Sequence, residues 1–103
     1  GKIYSLDGST GDTLWSFHSA PNPEYDPNDP KNPEYGIPTN IVIGADGVIY
    51  FGSIGKTFYA VNPDGSLLWE YPTGAPLDEN CPSIGPEGTV YFSAQDGIIY
   101  AVN

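Results

Sequence analysis

The densest cluster of groups able to do chemistry lies in residues 22–35, where the carboxylates of Glu24, Asp26, Asp29 and Glu34 stand with the amide of Asn28. Oxygen donors of this kind suit a hard cation, and Ca²⁺ takes about 6–8 of them. The spacing departs from an EF-hand loop, which needs a glycine at its sixth position. Two other readings therefore stand beside a calcium site. One is a solvated loop; the other is a contact loop that sets Tyr25 and Tyr35 against a protein partner, since interfaces favour tyrosine. Four prolines predict an extended or turn-like path with little ladder pairing.

Other reactive groups are sparse. His18 is the sole imidazole, and its place just after an apolar strand-like run predicts an edge or loop residue rather than a general base. Serines and threonines abound, but one histidine with no third group in prospect does not make a triad. Cys81 is the single thiol, so no intrachain disulfide can form; it is expected as a small buried or edge residue. No Cys/His spacing selects a structural metal, no glycine-rich phosphate loop precedes a helix, and nothing singles out a pair of carboxylates for glycoside chemistry. No catalytic residue and no resident cofactor is predicted, with calcium at residues 24–34 left open.

The chain that would carry these groups has 103 residues, with 13 acidic side chains against three lysines and a formal charge of −10. Lys2, Lys31 and Lys56 are scattered, which argues against a nucleic-acid partner and against docking on anionic lipid. No apolar run approaches the roughly 20 residues that span a bilayer, so membrane insertion is not expected. Glycine and proline are abundant (13 and 11), yet 14% of residues are aromatic, the composition of many short strands joined by turns. The lack of an initiating Met predicts a processed product or a piece of a longer chain.

The organising signal is a repeat. Gly44-Ala-Asp-Gly-Val-Ile-Tyr-Phe-Gly-Ser53 lies without a gap over Gly85-Pro-Glu-Gly-Thr-Val-Tyr-Phe-Ser-Ala94, 41 positions on. Phe58-Tyr-Ala-Val-Asn62 repeats as Ile99-Tyr-Ala-Val-Asn103 at the same interval, and Ile3-Tyr-Ser-Leu-Asp7 is a third copy. Thr13-Leu-Trp15 likewise matches Leu67-Leu-Trp69, the longer interval there being an insertion between Phe17 and Pro38. Each unit reads as four strands, here residues 40–44, 48–53, 57–62 and 67–71. The turns between them, such as Gly-Ala-Asp-Gly and Asn-Pro-Asp-Gly, tolerate positive φ. The continuous apolar runs 48–51 and 58–61 predict strands covered on both faces. Three short links and one long one predict sequential antiparallel pairing, with the long link carrying the chain from the outermost strand to the innermost strand of the next unit.

Four-stranded units of about 41 residues linked in this way describe β-propeller blades. The predicted fold is thus all-β. Residues 1–17 form the last two strands of a partial blade, 18–39 a long acidic connection, 40–71 a complete blade, and 72–103 a connection and the first three strands of the next. Two blades plus one strand cannot close a propeller, which takes about 4–8 blades.

The stretch Ser5-Leu-Asp7-Gly-Ser-Thr10-Gly11-Asp12-Thr-Leu-Trp15 resembles the tryptophan-docking motif of quinoprotein (pyrroloquinoline quinone, PQQ) propellers, Ala-x-Asp-x-x-Thr-Gly-x-x-x-Trp, with Ser5 in place of the alanine. Ala60-Val-Asn62-Pro-Asp-Gly65-Ser-Leu-Leu-Trp69 is a second copy, one residue shorter and without the threonine. The resemblance implies that Trp15 and Trp69 dock on a neighbouring blade, that Ser5 and Ala60 leave room for them, and that Gly11 and Gly65 make the turns. It covers a superfamily with several activities. The groups by which its dehydrogenases hold the quinone, adjacent cysteines in many members, are not recognisable here, so PQQ is not expected in this segment. The favoured expectation is a non-catalytic scaffold or protein-interaction segment outside the cytoplasm, whose partners are further blades from the same parent chain or other copies. The alternatives are a subunit of a self-associating extracellular fibre and a fragment of a PQQ-dependent dehydrogenase.

Overall fold

The computed structural model describes residues 2–19, 21, 25–29, 36–37, 40–75, 77 and 82–103. Among these residues the secondary structure is entirely β, and no helix is long and apolar enough to cross a membrane. Nine strands run in chain order: β1 (Lys2–Leu6), β2 (Thr13–His18), β3 (Val42–Ile43), β4 (Ile49–Gly52), β5 (Thr57–Val61), β6 (Leu67–Pro72), β7 (Ser83–Ile84), β8 (Val90–Ser93) and β9 (Ile99–Val102). They pair antiparallel in sequential order into sheets of two (β1-β2), four (β3-β4-β5-β6) and three strands (β7-β8-β9). The sheets stack face to face without closing into a ring, as befits a segment of a propeller.

Each 41-residue echo has become a structural one: β3, β4 and the body of β5 recur as β7, β8 and β9. The turns explain why. Gly47 and Gly88 hold φ of +85° and +84° in the β3–β4 and β7–β8 turns, and each donates its N–H to the carbonyl three residues back, at 3.0 Å in both. β3 and β7 are each only two residues long, because the ladder starts next to the glycine turn.

Period-2 alternation decides which sheet each residue faces. From the central sheet, Phe51, Tyr59 and Val61 point toward the two-stranded sheet and meet Ile3, Trp15 and Phe17. Val48, Tyr50, Phe58 and Ala60 point the other way and meet Val90, Phe92 and Ala94. Phe17 packs edge-on against Phe51 and Tyr59, at centroid distances of 5.8 and 5.2 Å. Phe58 stacks on Phe92 at 3.9 Å. The runs 48–51 and 58–61 are covered on both faces because a sheet lies against each.

Candidate functional site

Among the described residues the most specific side-chain geometry lies in the seams between sheets. The first seam is keyed by Trp15. Its indole N–H donates to the carbonyl of Pro63 at 2.9 Å, in the β5–β6 turn of the central sheet. Its ring lies so close under Gly65 that a Cβ there would sit 2.7 Å from Cδ2. Gly65 is thus required twice, for its φ of +91° and for the space the indole occupies.

The turn that delivers Trp15 is built by its own motif residues. Asp7 Oδ1 accepts the N–H groups of Ser9 and Thr10 at 2.8 and 3.2 Å, Thr10 Oγ1 accepts that of Asp12 at 3.2 Å, and Gly11 turns the chain at φ +77°. Ser5 lies directly opposite Trp15 in the β1-β2 ladder, as Ala60 lies opposite Trp69 in β5-β6. In the shorter second copy Asp64 replaces this network, accepting from Ser66 Oγ at 2.6 Å and Ser66 N at 2.9 Å. Those bonds, the hydroxyl's first, hold the Asp64 carboxyl below its ordinary range. Trp69 lies over its own sheet, 6.0 Å from Tyr50 and 6.2 Å from Phe58 by ring centroid, and its N–H finds no acceptor among the described residues.

The second seam, between the four- and three-stranded sheets, holds a plug and a cleft. Leu77 is fully buried in the connection after β6, bridged to Ala94, and a Cβ on Gly52 would fall 2.0 Å from its Cδ1. At the other end of the seam the β3–β4 and β7–β8 turns enclose a cleft of about 340 Å³ lined by Gly44, Asp46, Tyr50, Ile84, Gly85 and Pro86 among others. The Asp46 carboxylate accepts the Val48 N–H at 3.1 Å through Oδ1. The Tyr50 side chain is 9% exposed, and its hydroxyl, which remains accessible, has no hydrogen-bond partner among the described residues. Burial, and then the charge of Asp46, push the phenol above its ordinary value near 10.

Asp26, Asn28 and Asp29 are exposed, with the Asn28 N–H donating to Asp26 Oδ1 at 2.9 Å. Glu24 and Glu34 lie outside the described residues, as does Cys81. Among the described residues no three His, Cys, Asp or Glu side chains come close enough to share a metal ion. His18 ends β2 opposite Lys2 and is exposed. Sequence reasoning missed Leu77, Gly52, Asp46 and Tyr50. Signals pointed to the first two alone: a glycine inside a strand run marks close approach, and Leu77 is the one large aliphatic side chain between Pro72 and Ser83.

Open stacking of sequentially paired antiparallel sheets, with a tryptophan of one sheet keyed into the next sheet's turn, defines a β-propeller segment of PQQ-like repeats. The family model described as outer membrane protein assembly factor BamB matches residues 1–103, and the chain belongs to that family. No curated protein matches it.

Proposed function

We propose that this chain is a non-catalytic scaffold or protein-interaction segment of the cell envelope, working through sheet-on-sheet contact. One observation carries the reading. Phe58 and Ile99 occupy the same place in the repeat, yet Phe58, with a sheet against it, is 0% exposed and Ile99, on the outer face of β9, is 77% exposed. That face also presents Tyr91, and the outer face of the two-stranded sheet presents Tyr4, Leu6 and Leu14. Apolar faces of this kind call for another sheet, and the β9 edge has the backbone groups to pair with a further strand. The family's description, which names outer-membrane assembly, supports the envelope as the place.

Sedimentation velocity across a range of concentrations tests this. The chain is expected to associate as concentration rises, and Ile99→Glu to suppress association without unfolding the central sheet. A monomer at every concentration would overturn the reading. Because apolar faces lie on both flanks, a second reading follows for identical chains: head-to-tail stacking that does not close makes a fibre, visible by electron microscopy. Quinone chemistry is tested separately by adding PQQ and Ca²⁺ and following dye reduction, with none expected.

A further inference from the structure

The cleft between the β3–β4 and β7–β8 turns has the features of a recognition site that the scaffold role does not use. Asp46 Oδ1, Tyr50 Cε2 and Ile84 Cδ1 converge on Gly44, at 3.1, 3.3 and 3.7 Å from where a Cβ would stand, so the glycine keeps the space open. Into it face the Asp46 carboxylate and the Tyr50 hydroxyl, the accessible end of a side chain otherwise largely buried, which has no hydrogen-bond partner among the described residues. A hydroxyl that stands accessible at the mouth of a cleft, with no protein group bonded to it, is free to accept from an occupant.

The surroundings select the sign of the occupant. Antiparallel pairing sends the turns at residues 7–12, 44–47, 62–65 and 85–88 to one end of the stack, as the Trp15–Pro63 bond and the cleft itself confirm. That end carries Asp7, Asp12, Asp46, Asp64 and Glu87, whereas the described lysines, Lys2 and Lys56, lie at the other. A compact cation that donates several hydrogen bonds fits best. A metal ion would find only one carboxylate and a poor neutral ligand, but an ammonium can donate to both Asp46 and the Tyr50 oxygen while its alkyl stem lies on Ile84 and Pro86. We propose that this cleft binds the primary ammonium of a lysine side chain on a protein partner. The Tyr50 phenol, kept protonated by its surroundings, accepts one N–H and Asp46 accepts another. The proposal rests on the interaction-module reading only for the partner; the cleft's chemistry can be tested with sheet association absent.

The test is a titration of the ¹⁵N-labelled full chain with Nα-acetyl-lysine N-methylamide, followed by amide chemical shifts. Saturable shifts are expected at Gly44, Asp46, Gly47, Gly85 and Gly88. The uncharged norleucine analogue should produce none of them. Asp46→Asn keeps an acceptor for the Val48 N–H and should weaken binding about 10-fold or more, as for a charged hydrogen bond; Tyr50→Phe should weaken it about fivefold. Glu87→Gln, the repeat equivalent of Asp46 outside the lining, should leave affinity unchanged. If either of the first two variants fails to fold, Gly44→Ala, which fills the cleft, should abolish the shifts instead. Equal shifts from the norleucine analogue, shifts spread evenly over the turns at Asp7, Asp64 and Asp96, or undiminished affinity in folded Asp46→Asn and Tyr50→Phe would overturn the proposal.

Discussion

Gly65 and Trp15 show how one seam depends on two residues 50 positions apart. Alanine at 65 would meet the indole at 2.7 Å and force a left-handed φ on a residue with a Cβ. Gly65→Ala is therefore expected to lower stability by about 2–4 kcal/mol in urea denaturation. Trp15→Phe retains an aromatic ring but loses the bond to Pro63 and should cost only about 1–2 kcal/mol. The reverse order would show that the seam is held by area alone. Tyr50 and Asp64 each add a pH dependence to stability. The folded-state value of Tyr50 is raised, so its contribution is full below about pH 10 and lost as pH climbs through that raised value; Tyr50→Phe should flatten the alkaline limb of a stability–pH profile. Asp64 is depressed, so its contribution is present above its ordinary value and fades as pH falls through the lower folded one. Asp64→Asn should remove that acid sensitivity and slightly lower stability at neutral pH, so that the two profiles converge as pH falls.

At the scale of the elements, legibility followed the repeat. An alternation that buries both faces of residues 48–51 and 58–61 is written in their unbroken apolar run, and the docking of Trp15 in its motif. Leu77 was marked only as the one large aliphatic side chain of its connection, and the Asp46–Tyr50 cleft was not legible, because it exists only where two sheets meet and neither side alone shows a pattern. The same comparison of repeats exposes a defect in one turn. Lys56 and Gly97 are equivalent, yet Lys56 holds φ +62° where Gly97 holds +80°. Its carbonyl receives the Thr73 N–H at 2.7 Å, a bond any residue there can keep. A lysine in this conformation costs more than the extra chain entropy of a glycine. Lys56→Gly is thus expected to raise the urea midpoint by the equivalent of about 0.5–1 kcal/mol, and Gly97→Lys to lower it.

For the whole molecule, charge and apolar area pull in opposite directions, and salt separates them. Ten net negative charges on 103 residues repel a second copy, while Tyr91 and Ile99 on one flank and Tyr4, Leu6 and Leu14 on the other favour contact. Raising ionic strength from 0.01 to 0.15 M shortens the screening length from about 30 to about 8 Å, which weakens the repulsion and leaves the apolar term in place. Sheet-on-sheet association should therefore strengthen with added NaCl, and Ile99→Glu should abolish it at every salt concentration. The lysine cleft must behave oppositely, since its ligand is drawn to the acidic turn end by the very charges that salt screens. One salt series, read by sedimentation for association and by amide shifts for the lysine amide, sets the two surfaces apart. If both strengthened together, a single apolar patch would account for them and the division of this molecule into sticky flanks and an acidic end would fail.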